Sequence, residues 1–451
     1  MSELDLIIRN GSVVTREGVR RADIGIEGGV VQSVAPALAS KARQDIDATG
    51  MHVFPGLIDA HVHFNEPGRT DWEGIETGSR ALAAGGGTLF FDMPLNAHPP
   101  TLDAESFELK RRAAERSSVT DFGLWGGLTP ENLEHLEELA ECGVVGFKAF
   151  MSNSGIADFS RADDATLRAG MRRIAPWKRL VAVHAESEAL TSRLAQEKIT
   201  AGRMTIRDYL DSRPVAAELE AIERAIQIAG ETGCGLHIVH VSSGAGIARV
   251  TEARKAGVNV SCETCPHYLV LTEADMEQLG AVAKCAPPLR PEGEREELWK
   301  RLAAGEVTTV GSDHSPAPPE LKTDVDFFKV WGGISGVQHT LPLLLTEGHV
   351  NRHVAPGLIA ALTSANVAAR FGLSPAKGGL VAGADADVTI IDITRSFVVG
   401  QQELLYRHKQ SPYIGRSLTG TVVQTILRGE TIYKDGRIAS LPMGRLVTPQ
   451  R

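Results

Sequence analysis

The sequence predicts an α/β fold, in which a TIM-type (β/α)8 barrel is accompanied by a smaller β-rich unit. Short apolar runs rich in Val, Ile and Leu alternate with segments of helical period between residues 54 and 371. Polar residues of metal-binding types stand at the ends of several of these runs. Both chain ends, residues 1–53 and 372–451, instead consist of short strand-like runs broken by turns. Regular alternation of strand and helix is typical of a parallel barrel with its site at the carboxyl ends of the strands.

The expected barrel strands are short and apolar because both faces of such strands are covered. Eight runs fit this description: 53–58, 88–92, 121–125, 144–148, 180–184, 236–240, 258–262 and 307–313. Amphipathic segments that predict helices lie at 104–117, 131–142, 216–232, 246–256 and 295–304. At the chain ends, Asn10-Gly11 and Gly28-Gly29 are turn signals, and 387–392 and 422–427 are strand-like. These segments predict three parts with boundaries near residues 53 and 371.

The tripeptide His61-Val62-His63 directly follows the first predicted barrel strand. Residues i and i+2 of a strand project to the same face, so the two imidazoles can chelate one ion while Val62 packs the other way. An isolated pair of this kind can equally be a surface or core feature without metal. The other strand ends favour the metal: four further candidate ligands stand there, namely Lys148, His184, His240 and Asp313. Together these six residues predict a two-metal hydrolase site.

Composition restricts the remaining possibilities. The 451 residues are 43% apolar and 23% charged, as in an ordinary globular protein, and the net charge of -9 disfavours a nucleic-acid partner. The start of the chain lacks the basic and apolar regions of a signal peptide. No run approaches the roughly 18 apolar residues that span a bilayer, so we expect a cytoplasmic protein with no membrane partner.

The five cysteines do not suggest a disulfide framework. Cys262-x-x-Cys265 could be half of a zinc knot or a redox pair, but no second pair accompanies it. We therefore expect both thiols to pack in the interior.

Several motifs resemble those of the amidohydrolase superfamily. They are the stretch from Pro55 to His63, the strand-4 Lys148, the single histidines His184 and His240, and Ser312-Asp313-His314. Within its cyclic amidase branch of dihydroorotases, hydantoinases and allantoinases, the chain looks most like the allantoinases. The motifs that carry this likeness are NEPGR at 65–69, WEG at 72–74, DMPLN at 92–96, CETCPHY at 262–268 and KCAPPLR at 284–290.

The resemblance implies that both chain ends build one small β-sandwich and that the protein is a homotetramer. It also implies that CO2 converts Lys148 to a carbamate, N6-carboxylysine, whose oxygens bridge two divalent ions. A lysine that reaches the surface or pairs with an acid is the alternative, and the apolar strand around Lys148 disfavours it. The nitrogen and oxygen ligands suit Zn(II), although Co(II), Mn(II) or Fe(II) fit the same set. Asp313 is expected to be both ligand and catalytic proton carrier, its alternative being a purely structural ligand.

The implied reaction is hydrolysis of the hydantoin-ring amide of allantoin to allantoate, in purine degradation. Dihydroorotases usually carry Arg, Asn and His where this chain has Asn65, Leu95 and Ala317, so a substrate carboxylate would lose its partners. Hydantoinases and dihydropyrimidinases use a tyrosine in the loop after strand 4, and residues 151–156 contain none. These enzymes remain the alternatives. A non-catalytic homologue is disfavoured because all six ligands are present.

Contacts to the substrate are expected from main-chain groups and from amide side chains around the site. The candidates are Asn65, Asn96, Asn153, Cys285, Ala286, Gly332 and Gly333.

Overall fold

The computed structural model describes residues 4–450, and it contains eighteen strands and fourteen α-helices in that range. The strands are β1 (Leu4–Thr15), β2 (Gly18–Glu27), β3 (Val30–Ala35), β4 (Ala42–Asp47), β5 (His52–Pro55), β6 (Leu57–Val62), β7 (Gly87–Asp92), β8 (Asp121–Leu124), β9 (Gly126–Gly127), β10 (Phe147–Phe150), β11 (Leu180–His184), β12 (Gly235–Ile238), β13 (Val260–Thr264), β14 (Thr309–Val310), β15 (Val388–Val398), β16 (Ser417–Leu427), β17 (Glu430–Lys434) and β18 (Arg437–Ile438).

The helices alternate with the barrel strands and cover their outer side. They are α1 (Ile75–Ala84), α2 (Ala104–Ser117), α3 (Leu136–Cys142), α4 (Asp164–Ile174), α5 (Glu188–Thr200), α6 (Ile206–Ser212), α7 (Val215–Thr232), α8 (Gly244–Lys255), α9 (Pro266–Val270), α10 (Glu273–Leu279), α11 (Glu292–Ala303), α12 (Thr340–Leu343), α13 (Pro356–Ala360) and α14 (Asn366–Arg370). Four of the predicted helices match α2, α7, α8 and α11 to within a few residues. Within residues 4–450, no helix is long and apolar enough to cross a bilayer.

Both chain ends meet in one nine-stranded mixed sheet, ordered β18-β17-β16-β15-β5-β1-β2-β3, with β4 paired to β1. The central strand β5 joins them. It runs parallel to β1, where Ser12 faces His52, and antiparallel to β15, where Val388 faces Pro55. Ile24, Val53 and Ile390 belong to the buried apolar cluster of this sheet. The predicted union of the two ends is therefore confirmed, whereas the exact boundaries at residues 53 and 371 stay predictions.

The barrel consists of two parallel sheets, β6-β7-β8 and β9 to β14, that together make eight strands. β8 and β9 are two halves of one strand, interrupted at Trp125, whose main-chain N–H donates to the Asp92 carbonyl at 3.1 Å. The barrel closes through a parallel bridge between Val62 and His314, where the His63 N–H donates to the His314 carbonyl at 2.8 Å. The predicted fold class is confirmed.

The prediction of one barrel strand at 53–58 is wrong in one respect, because this run contributes to two different sheets. Residues up to Pro55 belong to the mixed sheet, and β6 begins at Leu57. Between them, Gly56 passes so close to β7 that a Cβ atom would lie 2.2 Å from the Thr88 hydroxyl oxygen. An apolar pattern cannot separate the two strands because both are buried. The last predicted strand is also shorter than expected, since β14 ends at Val310, before Asp313.

An ionic cluster ties the barrel to the mixed sheet. The Lys377 ammonium contacts Asp121 at 2.7 Å, Asp385 at 2.8 Å and Asp387 at 2.8 Å. Asp121 begins β8 and also pairs with Arg428, which follows β16. Burial alone would lower the pKa of Lys377, but the three carboxylates outweigh burial and raise it. The cluster therefore holds a charged lysine in the interior.

Replacing Lys377 by Met should destabilise the fold, because it would leave the carboxylates buried without their cation. Breaking a buried ion pair in this way typically costs about 3–5 kcal/mol. Urea unfolding followed by circular dichroism would measure the loss, with Lys255→Met at an exposed position of α8 as control. A Lys377→Met variant as stable as the control would show that the cluster does not stabilise the fold.

Candidate metal centre

A cavity of about 320 Å³ opens at the carboxyl ends of the barrel strands, as the sequence predicts. All six predicted metal ligands line it: His61, His63, Lys148, His184, His240 and Asp313. Five of them are buried, and the Asp313 side chain is 14% exposed. The structure therefore brings together residues that are up to 252 positions apart, from His61 to Asp313.

His61 of β6, His63 directly after that strand, and Asp313 supply the first group of ligand atoms. The His61 Nε2 atom lies 3.3 Å from Asp313 Oδ1, and His63 Nε2 lies 3.5 Å from the same oxygen. The three ligand atoms lie within 4.8 Å of one another, a spacing that suits one shared ion. The period-two argument for His61 and His63 agrees with this geometry.

The second group consists of His184 at the end of β11 and His240 after β12. His184 Nδ1 and His240 Nε2 are 3.1 Å apart. Burial lowers the pKa of His184 and, with Lys148 as the next cause, lowers that of His240 well below the usual value. Both rings are therefore neutral at pH 7 and have lone pairs for a cation. The His61 ring, 5.4 Å from the His240 ring, connects the two groups.

The backbone at two candidate ligands is unusual. His240 has φ 40° and Asp313 has φ 46°, in the left-handed region that residues with a side chain seldom adopt. Such strain persists where the surrounding structure imposes it, and it concentrates at functional sites.

Lys148 of β10 lies between the two groups and is fully buried. Its Nζ atom has no hydrogen-bond partner within residues 4–450, and the Phe150 ring lies 5.1 Å away. Burial lowers the pKa of Lys148 to about 8, although Asp313 and Glu263 act in the opposite direction. A buried ammonium without an acceptor is unfavourable, so this position favours a neutral or chemically modified lysine.

Two glutamates that sequence reasoning missed support the ligands from outside. Glu263 of β13 lies 2.7 Å from His61 Nδ1, and Glu186 lies 2.7 Å from His184 Nε2. Burial opposes ionisation of Glu263, but the adjacent His61 outweighs it, and the pKa of Glu263 falls to about 2. A carboxylate on the far nitrogen fixes the orientation of a metal-binding imidazole. Arg213 in turn binds Glu186 at 2.5 and 3.1 Å.

The residues predicted to contact substrate divide into two sets. Six line the cavity, namely Asn96, Asn153, Cys285, Ala286, Gly332 and Gly333. Asn65 does not, and its amide donates to the Pro316 carbonyl at 3.3 Å. Within the described chain, the main-chain N–H groups of Cys285, Ala286 and Gly332 have no hydrogen-bond partner, so they are available to a ligand.

The cavity also contains residues that the sequence does not predict as site residues, among them Tyr209, Arg213 and Lys284. The Tyr209 hydroxyl donates to the Cys285 carbonyl at 2.8 Å. Tyr209 belongs to α6 and Arg213 is the C-cap residue of that helix, so neither stands at a strand end. A search restricted to strand ends therefore could not find them.

The remaining histidines and cysteines of interest lie outside the cavity. His267 is buried near Cys265 and Asp313, and its ligand atom lies within 4.8 Å of theirs. His237 contacts the Ser261 hydroxyl at 2.7 Å on the other side of β12. Cys262 and Cys265 are free thiols in the apolar core, as expected for residues with a packing role.

The fold and the site agree with a known family. The sequence profile of the amidohydrolase family matches residues 52–432. The chain therefore belongs to the amidohydrolase family.

Relatives and solved structures refine this position. The chain is 56% identical to an allantoinase from Rubrobacter xylanophilus, over 100% of this chain and 99% of that protein. An allantoinase from Deinococcus radiodurans is 53% identical, over 99% of each. The fold matches an L-hydantoinase from Arthrobacter aurescens with a TM-score of 0.96 and 33% identity, covering 99% of this chain and 100% of that one. Within the family, the chain thus belongs with the allantoinases, as the motifs predict.

Replacing Glu263 by Gln should weaken metal binding, because an amide holds the His61 ring less firmly and lowers its basicity. Losses of about 10- to 100-fold in metal affinity or activity are typical for such outer carboxylates. Titration of metal-depleted protein with Zn(II) would measure the affinity, with exposed Glu252→Gln on α8 as control. Equal affinities in the two variants would remove Glu263 from the metal centre.

Proposed function

We propose that this protein hydrolyses the hydantoin-ring amide of allantoin to allantoate with two divalent metal ions. The observation that carries the proposal is the convergence in one cavity of four imidazoles, one carboxylate and a buried lysine whose Nζ atom has no hydrogen-bond partner among residues 4–450. The choice of allantoin is supported by whole-chain similarity to allantoinases.

The residues present fit two ions. His61, His63 and Asp313 would hold one, and His184 with His240 would hold the other. His184 Nδ1 and His240 Nε2 face each other at 3.1 Å, and the Lys148 Nζ atom has no hydrogen-bond partner among residues 4–450. The two imidazole nitrogens, and a carbamate formed on Nζ, could serve as ligands of a cation. When bound, the ions would supply a strong nucleophile from water at neutral pH and polarise the scissile carbonyl. Zn(II) suits these nitrogen and oxygen donors best, with Co(II), Mn(II) and Fe(II) as alternatives.

Lys148 would complete the centre as a carbamate. The neutral amine attacks the carbon of CO2. A nitrogen–carbon bond forms, one carbon–oxygen π bond breaks with its electrons moving to oxygen, and the nitrogen loses one proton to water. A pKa of about 8, lowered by burial, leaves a useful neutral fraction of Lys148 near pH 7. The product is an anion whose two oxygens can accept two cations, so it removes the unfavourable buried ammonium.

Asp313 would move the proton. Burial opposes its ionisation, but His61 and His63 outweigh burial and hold the pKa of Asp313 well below its usual range. The ionised carboxylate can accept a proton from the attacking water. It then gives that proton to the ring nitrogen as the carbon–nitrogen bond breaks, and the carbonyl carbon becomes the carboxylate of allantoate.

The cavity agrees with a neutral substrate. Apart from Lys148, the part-buried Arg213 and the buried Lys284 of the lining already have partners, since Arg213 binds Glu186 and the Lys284 ammonium donates to main-chain carbonyls. A substrate carboxylate would have to displace these partners. The ureido arm of allantoin can instead bind the free main-chain N–H groups of Cys285, Ala286 and Gly332.

Hydrolysis of simpler hydantoins is the second candidate function. The structural match to an L-hydantoinase favours it, and so does Tyr209, which brings a phenol into the cavity from α6. The homotetramer expected from the family resemblance also stays a proposal, and light scattering of the purified protein would measure the assembly.

A substrate panel tests the proposed function. Purified metal-loaded protein is assayed with allantoin, hydantoin, dihydrouracil and dihydroorotate, and the products are identified by mass spectrometry. Allantoin should be consumed fastest, because unsubstituted hydantoin gives up arm contacts worth on the order of 1–3 kcal/mol. Faster turnover of hydantoin or dihydrouracil would replace allantoin by the second candidate.

Replacing Lys148 by Ala should remove most of the metal and the activity, because the bridging carbamate cannot form. Wild-type protein should reconstitute better with bicarbonate present. Metal content by mass spectrometry and allantoin turnover measure both effects, with Lys255→Ala as the exposed control. Full activity of Lys148→Ala without an added short-chain carboxylic acid would exclude the carbamate.

Replacing Asp313 by Asn should retain at least one metal ion and lower kcat by about 10²- to 10⁴-fold, the usual share of general acid–base catalysis. The amide still presents an oxygen ligand but cannot carry a proton near neutral pH. Metal content and kcat are measured on the same preparation. A kcat close to that of the wild type would assign proton transfer to another group.

A further inference from the structure

One wall of the cavity is a segment without regular secondary structure. Residues 327–333, which we term the cavity wall, begin with a turn and contain no helix or strand. Six of the residues that line the cavity belong to it: Phe328, Lys329, Val330, Trp331, Gly332 and Gly333. With no helix or strand of its own, the wall needs other hydrogen bonds to keep its shape.

Lys284 supplies several of those hydrogen bonds. Its ammonium donates to the carbonyls of Phe327 at 2.6 Å and Val330 at 2.5 Å. Its own carbonyl accepts the N–H of Gly333 at 2.7 Å. One residue thus holds the beginning, middle and end of the cavity wall, and it directly precedes the substrate candidates Cys285 and Ala286.

Lys322 also binds the cavity wall. Its ammonium donates to the carbonyls of Trp331 at 3.2 Å and Gly333 at 2.9 Å. A third bond, to the Ala281 carbonyl at 3.2 Å, ties the wall to the chain just before Lys284. The two lysines therefore bind the same segment and share Gly333 as an attachment point.

Neither ammonium forms an ion pair with a carboxylate in the described part of the chain. Burial, with neighbouring Arg213 and Lys322, lowers the pKa of Lys284 to about 7. Burial likewise lowers the pKa of Lys322 to about 8. An apolar side chain would fill the same space without this penalty. The hydrogen bonds to the cavity wall offset this penalty at both lysines. At Lys284 the Tyr209 ring, 4.5 Å from Nζ, stabilises the ammonium further.

We propose that Lys284 and Lys322 are positioning residues that shape the cavity wall for substrate binding. Both groups of Gly333 are engaged by the lysines, whereas the adjacent Gly332 leaves its N–H and carbonyl without partners in residues 4–450. The lysines thereby hold the unpaired N–H and carbonyl of Gly332 at the cavity surface, where they can bind the amide edge of a cyclic substrate. This role rests on the proposed function for the identity of the substrate only.

The experiment compares Lys284→Met, Lys322→Met and Lys322→Arg with the wild type and with Lys300→Met, an exposed lysine on α11. Hydrogen–deuterium exchange of residues 327–333 is measured without substrate. In both buried Met variants, exchange should be at least about 10-fold faster there, with unchanged metal content and circular dichroism. Lys322→Arg should restore slow exchange, because a guanidinium can still donate to the carbonyls.

Steady-state kinetics with allantoin separate positioning from general destabilisation. KM should rise about 10-fold in the Met variants, the equivalent of one good hydrogen bond, while kcat stays within a few-fold of the wild type. The proposal would be overturned if both Met variants exchanged hydrogen in residues 327–333 at the wild-type rate. It would also be overturned if kcat fell as much as KM rose and metal was lost. If a Met variant does not fold, Lys322→Arg provides the test. Fast exchange of residues 327–333 in that variant would contradict the positioning role of Lys322. If allantoin is not a substrate, only the proposed function fails, because exchange needs no ligand.

Discussion

Closure of the barrel between β6 and the segment after β14 determines the geometry of the metal centre. Asp59 of β6 accepts the N–H of Ser312 at 3.0 Å and that of His61 at 3.1 Å. Because Ser312 precedes Asp313, one carboxylate fixes the main chain of two candidate ligands from strands at opposite ends of the barrel sequence. Burial raises the pKa of Asp59 to about 6, although hydrogen bonds from Ser312 and His61 oppose this rise.

Charged side chains surround the candidate ligands. His61 contacts the Glu263 carboxylate, and His184 contacts the Glu186 carboxylate, which also forms an ion pair with Arg213. A carboxylate thereby orients each of these two imidazole rings. Of the two carboxylates, Glu186 is the one paired with a cationic residue of the cavity, Arg213. The second group of ligands is thus connected, through Glu186, to Arg213 at the cavity. The first group is connected, through Glu263, to β13 of the barrel.

The candidate ligands could be predicted from the sequence, whereas the residues that contact and orient them could not. His61, His184 and Lys148 could be found because strand periodicity and strand ends are local properties of the chain. The His61 contact with Glu263 spans 202 positions, and no local pattern encodes it. Glu186 had a weak signal, since it stands two residues after His184. Arg213 had none, because its place in the cavity depends on how α6 packs.

The passage of the chain at Gly56 has a consequence for engineering. β5 is the centre of the mixed sheet and β6 is the first strand of the barrel, and a single glycine separates them. A junction placed before β5 would take from the mixed sheet the strand that joins β1 to β15 and would leave two sheet edges open to pairing with other chains. The two sheets consequently cannot be exchanged as cassettes between homologues. A chimera needs its junction outside the 52–62 stretch, with that stretch inherited whole from one parent.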